Sequence, residues 1–478
     1  MSANGKGNGS DITRELAEFA SAIRYHTLPV AVRERVPLIV LDHVGISLRA
    51  RHEAALVPAM TTALQTLGYT AGGSNRQCTV IGDQSGYAPA AAALFNGNLG
   101  HVLDFDDTHT GGSIHSGAPI IPAALAAAEM VGANGEQLIA GVAAGFEIQL
   151  RLSLALNPTE HYNRGFHPTA TCGVFGAAAA AGVVLGLDAD AMQSAFGLCG
   201  SHAAGSMQFL ADGAWNKPYH TGFAAANGLH AAVMAQSGFR GASEAFAGRF
   251  GFLKAYAPNP DPARALEGLG ERFEQLDIAV KPYPSCRYSH AAMDAVAALR
   301  AEHDIRADEV ESVSIGLGEN GMMIIGEPLA DKQQPKNYVD GQFSMPFCAA
   351  VVLSDGTMVW DSYARHLADE RTLSLCRKIG TVFDPQVQAQ FPAYMSGSAT
   401  IRTSRGEFHK LVVIPKGEPE NFMSEAELRA KFDGLVGPYL SESGRETLAQ
   451  RLFALDEQTD ITSLLALTRP VAGAASRA

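Results

Sequence analysis

The sequence predicts a mainly α protein, with a large all-helical domain formed by both chain ends and a smaller α+β domain between them. Three observations carry this reading. Apolar residues recur at helical spacing up to about residue 255. Strand-like alternation begins only after about residue 275. Helical spacing returns at Ser424 and runs toward the end. These changes set a disordered Gly/Ser/Asn-rich N-terminus at 1–10, the large domain at 11–272 and 416–478, and the small one at 273–415.

The helices follow in order. Val32, Val36, Ile39, Val40 and His43 share one helix face. Residues 87–103 place Ala91, Leu94, Phe95, Leu99 and Val102 on one stripe. Further helices are predicted at 119–130, 135–156, 188–200 and 222–235. Residues 169–187 carry no charge but are mostly Ala and Gly, whose burial gains little, so a buried core helix or two is expected there rather than a membrane span. With 49 glycines and repeated Ala runs, the helices can approach closely.

In the small domain, Val313, Ile315 and Leu317 alternate with polar residues, as do Ala399, Ile401 and Thr403. Ser404-Arg405-Gly406 signals a turn, after which 408–414 can return as the partner strand. Helices are expected at 289–303 and 347–353. In the tail, Ser424 and Glu427 form a capping box, followed by Leu428, Phe432 and Leu435 at helical spacing, and 443–455 continues as helix. A helical tail after an α+β insert implies that the tail rejoins the first domain, with the site expected in the cleft between the two domains.

Composition narrows the function. The 478 residues suit two to four domains, and 47% hydrophobic content with 18% charge marks a globular chain. A net charge of −13 argues against nucleic acid and anionic membrane as partners. An anionic substrate would then need a local pocket of Lys, Arg and His. The six cysteines form no CxxC pair, which points to reduced thiols in a cytoplasmic protein rather than zinc or a disulfide framework. No apolar leader follows the N-terminus.

Four polar clusters stand out. The first is Leu103-Asp104-Phe105-Asp106-Asp107-Thr108-His109 with Ser113-Ile114-His115. Asp104 and Thr108 are four apart, which would put them on one face of a last helical turn. Asn163-Arg164-Gly165-Phe166-His167 follows, where His167 at the mouth of an apolar helix suits acid–base work near neutral pH. In the third, Lys217 lies between Trp215, Pro218 and Tyr219, which would shield it as an anchor for a carboxylate. The fourth holds Lys281, Arg287, Tyr288 and His290, able to close a positive pocket; Cys286 lacks an orienting group for a nucleophile role. Gly316-Leu317-Gly318-Glu319-Asn320-Gly321 matches GxGxxG, but Gly326 and Pro328 break the helix that a dinucleotide fold requires.

In this order the clusters resemble the MmgE/PrpD family, along nearly the whole chain. The resemblance rests on LDFDDTH, GFHPTA, HTGFAAANG, KPYPSCRYSH, GQFSMPF and KGEPENFMS. The family includes 2-methylcitrate dehydratases, cis-aconitate decarboxylases and iminodisuccinate epimerases. It implies a homodimer with no required metal or cofactor. By position it implies Asp104, Thr108, His115, His167, Lys217 and His290 as catalytic, with His109 the rival to His115 in its loop. His220, Lys281, Arg287 and Tyr288 are the candidate substrate contacts. Lys217 with Arg287 or Lys281 would hold carboxylates, His115 and His167 would move protons, Asp104 would orient a His, and Thr108 would hydrogen-bond the substrate. The expected activity is a lyase acting on a small di- or tricarboxylate through a carbanion beside a carboxylate, with dehydration slightly favoured over decarboxylation. A dicarboxylate epimerase is the alternative, and a silent polycarboxylate binder the third reading.

Overall fold

Small residues decide how the helices of this chain meet. In the computed structural model, which describes residues 11–70 and 77–470, a Cβ added at Gly97 would lie 2.6 Å from the Cα of Gly222. The Pro89–Val102 and Asn216–Gln236 helices therefore cross with backbone against backbone. Gly228 does the same against Ala177, where an added Cβ would stand 2.5 Å from the Ala177 side chain. The disordered stretch expected at 1–10 lies outside the described residues.

Packing divides the chain into two compact units, Met1–Ile278 with Leu435–Ala478, and Ala279–Gly434. Where the sequence reading set 273 and 415, the smaller unit begins at Ala279 and runs through Gly434, so most of the capped Glu425–Val436 helix belongs to it. The capping box is present: Ser424 N–H donates to Glu427 Oε2 at 2.8 Å, and Glu427 N–H to Ser424 Oγ at 3.3 Å.

The larger unit is helical, with only two-residue strands beside its helices. The Gly173–Leu185 helix packs against Gly117–Val131, Gly135–Leu156 and Asn216–Gln236. Ala177 to Ala181 in it are fully buried. The uncharged 169–187 stretch thus supplies a short Pro168–Thr171 helix and a core helix. It and Gly135–Leu156 are long and apolar enough to cross a membrane by length and composition, and both lie buried among the other helices of this unit. All six cysteines are buried and unbridged.

The smaller unit has a four-stranded sheet in the order Ile379–Phe383, Val310–Leu317, Gly397–Thr403, Gly406–Val412. The expected hairpin is there, with Ile401 opposite Phe408. Val313, Ile315 and Leu317 are buried on the face covered by the His290–Glu302 and Met345–Asp355 helices. The sequence reading did not anticipate Ile379–Phe383, which pairs parallel to Val310–Leu317 and makes the intervening helices a crossover. After Leu317 come only the three-residue Glu319–Gly321 helix and a π-helical turn at Met322–Gly326, so the GxGxxG stretch opens no long helix. The architecture is mainly α with a small α+β part.

Candidate active site

The site in the larger unit begins where the Pro89–Val102 helix ends. The expected last helical turn through Asp104 and Thr108 is absent: Leu103 caps the helix, and Asp104 turns into the left-handed region with φ 51°. A non-glycine residue there costs about 1–2 kcal/mol, less for Asp, so the surroundings must hold it. The turn sends neighbouring carboxylates to different partners. Asp104 Oδ1 accepts from Lys217 Nζ at 2.6 Å. Asp106 Oδ2 lies 2.7 Å from His101 Nδ1 and 3.2 Å from His115 Nδ1. Asp107 accepts the backbone N–H of Ser116 at 3.0 Å and of Gly117 at 2.9 Å, and so caps the Gly117–Val131 helix.

The carboxylate beside these imidazoles is Asp106, whereas Asp104, given that orienting role in the sequence reading, accepts from Lys217. His101, the penultimate residue of its helix, was not singled out, and Asp106 was read only as part of its motif. His115, rather than its rival His109, joins the cluster: its ring centroid is 4.5 Å from that of His101. His109 Nδ1 instead accepts Gly112 N–H at 2.9 Å and ties down the intervening loop. Thr108 opens the two-residue strand Thr108–His109 and is half-buried.

His167 comes from the other side, at the start of the Pro168–Thr171 helix, with its N–H bonded to Gly205 O at 2.8 Å. Its ring is 6.2 Å from that of His101, and its Nδ1 is 3.3 Å from His220 Nδ1. In that pair one nitrogen donates and the other accepts, which fixes opposite tautomers. Lys217 sits in the first turn of the Asn216–Gln236 helix, earlier than the sequence predicted. Its side chain is part-buried, at 31% exposure, while Trp215 and Tyr219 are 52% and 44% exposed.

Electrostatics assigns states to these groups. Burial, then the neighbouring His101 and His220 rings, which disfavour a further positive charge, holds His167 well below the ordinary imidazole value. Burial brings His101 and His220 down to about 4, against the pull of Asp106 on His101. All three are neutral near pH 7, so of the acid and base roles open to His167 from sequence, these states favour a base or a neutral hydrogen-bond donor. Burial opposes charge on Lys217, but Asp104 beside it outweighs this and holds the ammonium protonated above its usual range. Burial likewise opposes charge on Asp106, yet the His101 and His115 rings hold it well below the carboxylate range. Burial and the charge of Asp106 push Asp107 up to about 7. The outer rim of Asp104, Thr108, His115 and Lys217 keeps some exposure, with Asp106, His101, His167 and His220 buried behind it.

Two sets of donors in this unit are close enough to be considered for a metal. His101, Asp106 and His115 bring donor atoms within 4.8 Å, as do His109, Glu274 and Asp277. A tetrahedral ion with bonds of about 2.0–2.1 Å spaces its ligands roughly 3.3 Å apart. The 2.7 Å between Asp106 and His101 is instead a shared-proton distance. In the second set Arg272 already reaches both carboxylates, at 2.8 Å to Asp277 and 3.4 Å to Glu274.

The remaining candidates lie in the smaller unit. His290 is buried, its Nε2 donating to Ser285 O at 3.2 Å, with the Tyr283 ring edge-on at 5.5 Å. Burial, then Lys281 and Arg287, holds it well below the usual imidazole range, so it is neutral. Lys281 is buried, and Lys431 Nζ donates to its carbonyl oxygen at 2.9 Å. Arg287 is paired with Glu418, from the KGEPENF stretch. Tyr288 is half-buried, and burial raises its phenol.

Comparison with known proteins covers both units. The MmgE/PrpD N-terminal domain matches residues 14–265 and the MmgE/PrpD C-terminal domain residues 283–455. A cis-aconitate decarboxylase-like protein of Aspergillus oryzae is 26% identical, over 96% of this chain and 97% of its own length. The cis-aconitate decarboxylase of Aspergillus terreus is 27% identical over 96% of each chain. That of Mus musculus is 26% identical over 80% of this chain and 79% of its own. The chain belongs to the MmgE/PrpD family.

Proposed function

We propose that this protein is a carboxy-lyase that removes CO2 from a small tricarboxylate of the cis-aconitate type. Family membership and the full-length decarboxylase relatives support a lyase of the decarboxylase or dehydratase kind. The observation that carries the finer reading is the pairing of one charged lysine with a layer of neutral histidines. Lys217, kept protonated by Asp104, supplies a cation for a retained carboxylate. Loss of CO2 leaves its bonding electron pair on the substrate. A proton must then reach carbon, and His115, on the partly exposed rim beside Asp106, is the group to deliver it. His167 and His220 offer hydrogen bonds without adding positive charge. Candidates with the same roles in the smaller unit are His290, Lys281 and Arg287.

Proton NMR in D2O with cis-aconitate tests this. Release of CO2 with one deuterium incorporated at carbon is expected. Turnover of 2-methylcitrate with loss of water, or exchange of the α-proton of iminodisuccinate without a new product, with cis-aconitate left intact, would replace decarboxylation by dehydration or epimerisation. Three further features belong to the proposal: a homodimer, a cytoplasmic location, and activity without metal or organic cofactor. Activity that survives exhaustive chelation supports the last; loss restored by a divalent ion refutes it.

A further inference from the structure

Asp106 differs from its neighbours in what it lacks. Asp104 has an ammonium, and Asp107 has two backbone N–H groups. Asp106 is 1% exposed, is held in its ionised form, and meets no Lys or Arg within ion-pair distance among the described residues. Its contacts are the two imidazoles at Oδ2, while its Oδ1 is buried without a hydrogen-bond partner. A buried carboxylate in that state costs several kcal/mol unless positive charge reaches it. His101 is a poor source of that charge, being buried to 1% exposure behind the rim. Lys217 is committed to Asp104. His115, with a side chain 16% exposed, is the one neighbour that touches both the carboxylate and the rim.

We propose that Asp106 is the positioning residue of this site: it holds Nδ1–H of His115, with His101 as a second, neutral clasp, so that Nε2 of His115 faces the substrate and exchanges the proton. The inference rests on the lyase reading for what His115 does, but not for how Asp106 holds it. Asp106 accepts from His101 at 2.7 Å, which fixes the carboxylate in place. Its contact to His115 Nδ1 is longer, at 3.2 Å, and short of a formed hydrogen bond; it closes when the ring becomes an imidazolium. Asp106 stays a carboxylate throughout and takes no proton. The other charged or titratable groups bearing on it are His43, Asp107 and Lys217.

The test has two arms. With 15N-labelled histidine in the full-length wild-type protein, the His115 signal is identified by its loss in His115→Gln. Nδ1 is expected to carry a proton; a proton on Nε2 with Nδ1 bare overturns the proposal whatever the enzyme turns over. In the second arm, Asp106→Asn lowers kcat by about 10²–10⁴-fold with KM within a few-fold, and Asp106→Glu recovers part of it. A kcat for Asp106→Asn within threefold of wild type also overturns it. If Asp106→Asn does not fold, the tautomer measurement still decides. If wild type leaves cis-aconitate untouched, the decarboxylase reading fails while the tautomer arm remains readable.

Discussion

The two clusters of this protein treat positive charge in opposite ways. In the larger unit Lys217 has Asp104, and the His101–His115 pair has Asp106. In the smaller unit Lys281, Arg287 and Lys431 all bear on His290, while Glu418 is taken by Arg287. The first arrangement can carry a proton, because a carboxylate stands behind the ring that moves it. The second keeps its histidine neutral and favours an anion nearby. One sequence thus builds a proton-handling cluster and a cation-rich one, and each can be tested by itself.

The largest expected effect is collective. Burial brings His43, His101 and His220 down to about 4, whereas an unfolded imidazole titrates near 6.5. The unfolded chain therefore binds protons in that window that the folded chain refuses. The contribution is fully present above about pH 6.5 and is lost as pH falls toward 4. Thermal melts should show Tm at pH 5 on the order of 5–10 °C below that at pH 7.5. A flat profile would mean that these rings have solvent access. Next is Arg287→Ala, which leaves Glu418 without its partner and should destabilise the smaller unit by about 3 kcal/mol in denaturant melts. Adding Glu418→Gln should return part of the loss. A large rise in KM with unchanged stability would instead make Arg287 a substrate contact.

Lys217→Met should raise KM by about 10–100-fold while lowering kcat less, in steady-state kinetics. Equal KM would remove the lysine from substrate binding and leave it as the counter-charge of Asp104. The smallest effect is Ser424→Ala, which removes the cap of the Glu425–Val436 helix and should cost about 1 kcal/mol in the same melts.

Most of the helices and the hairpin were legible because their periodicities are long or bounded by clear turn residues. Ile379–Phe383 was not: it has five residues and a burial pattern that fades along its length instead of alternating. The site was legible as motifs but not as pairings. In LDFDDTH three carboxylates look equivalent, and only the backbone reversal at Asp104 sends each to a different partner. His101 carried only a faint signal, being one of three polar residues, with Asn96 and Asn98, on the largely apolar 87–103 stretch. Lys217 is part-buried, as the sequence suggested, although Trp215 and Tyr219 are themselves exposed.

The contact of Gly97 with Gly222 has a consequence beyond packing. His101 lies one turn along from Gly97, and His220 and Lys217 lie two and five residues before Gly222. The crossing is therefore a gauge block: its thickness, two bare backbones, sets the gap across which Lys217 meets Asp104. A single methyl group at Gly97 would have to wedge the helices apart by more than the slack of a 2.6 Å hydrogen bond. Such a change would blunt the chemistry while leaving every reacting side chain in the sequence.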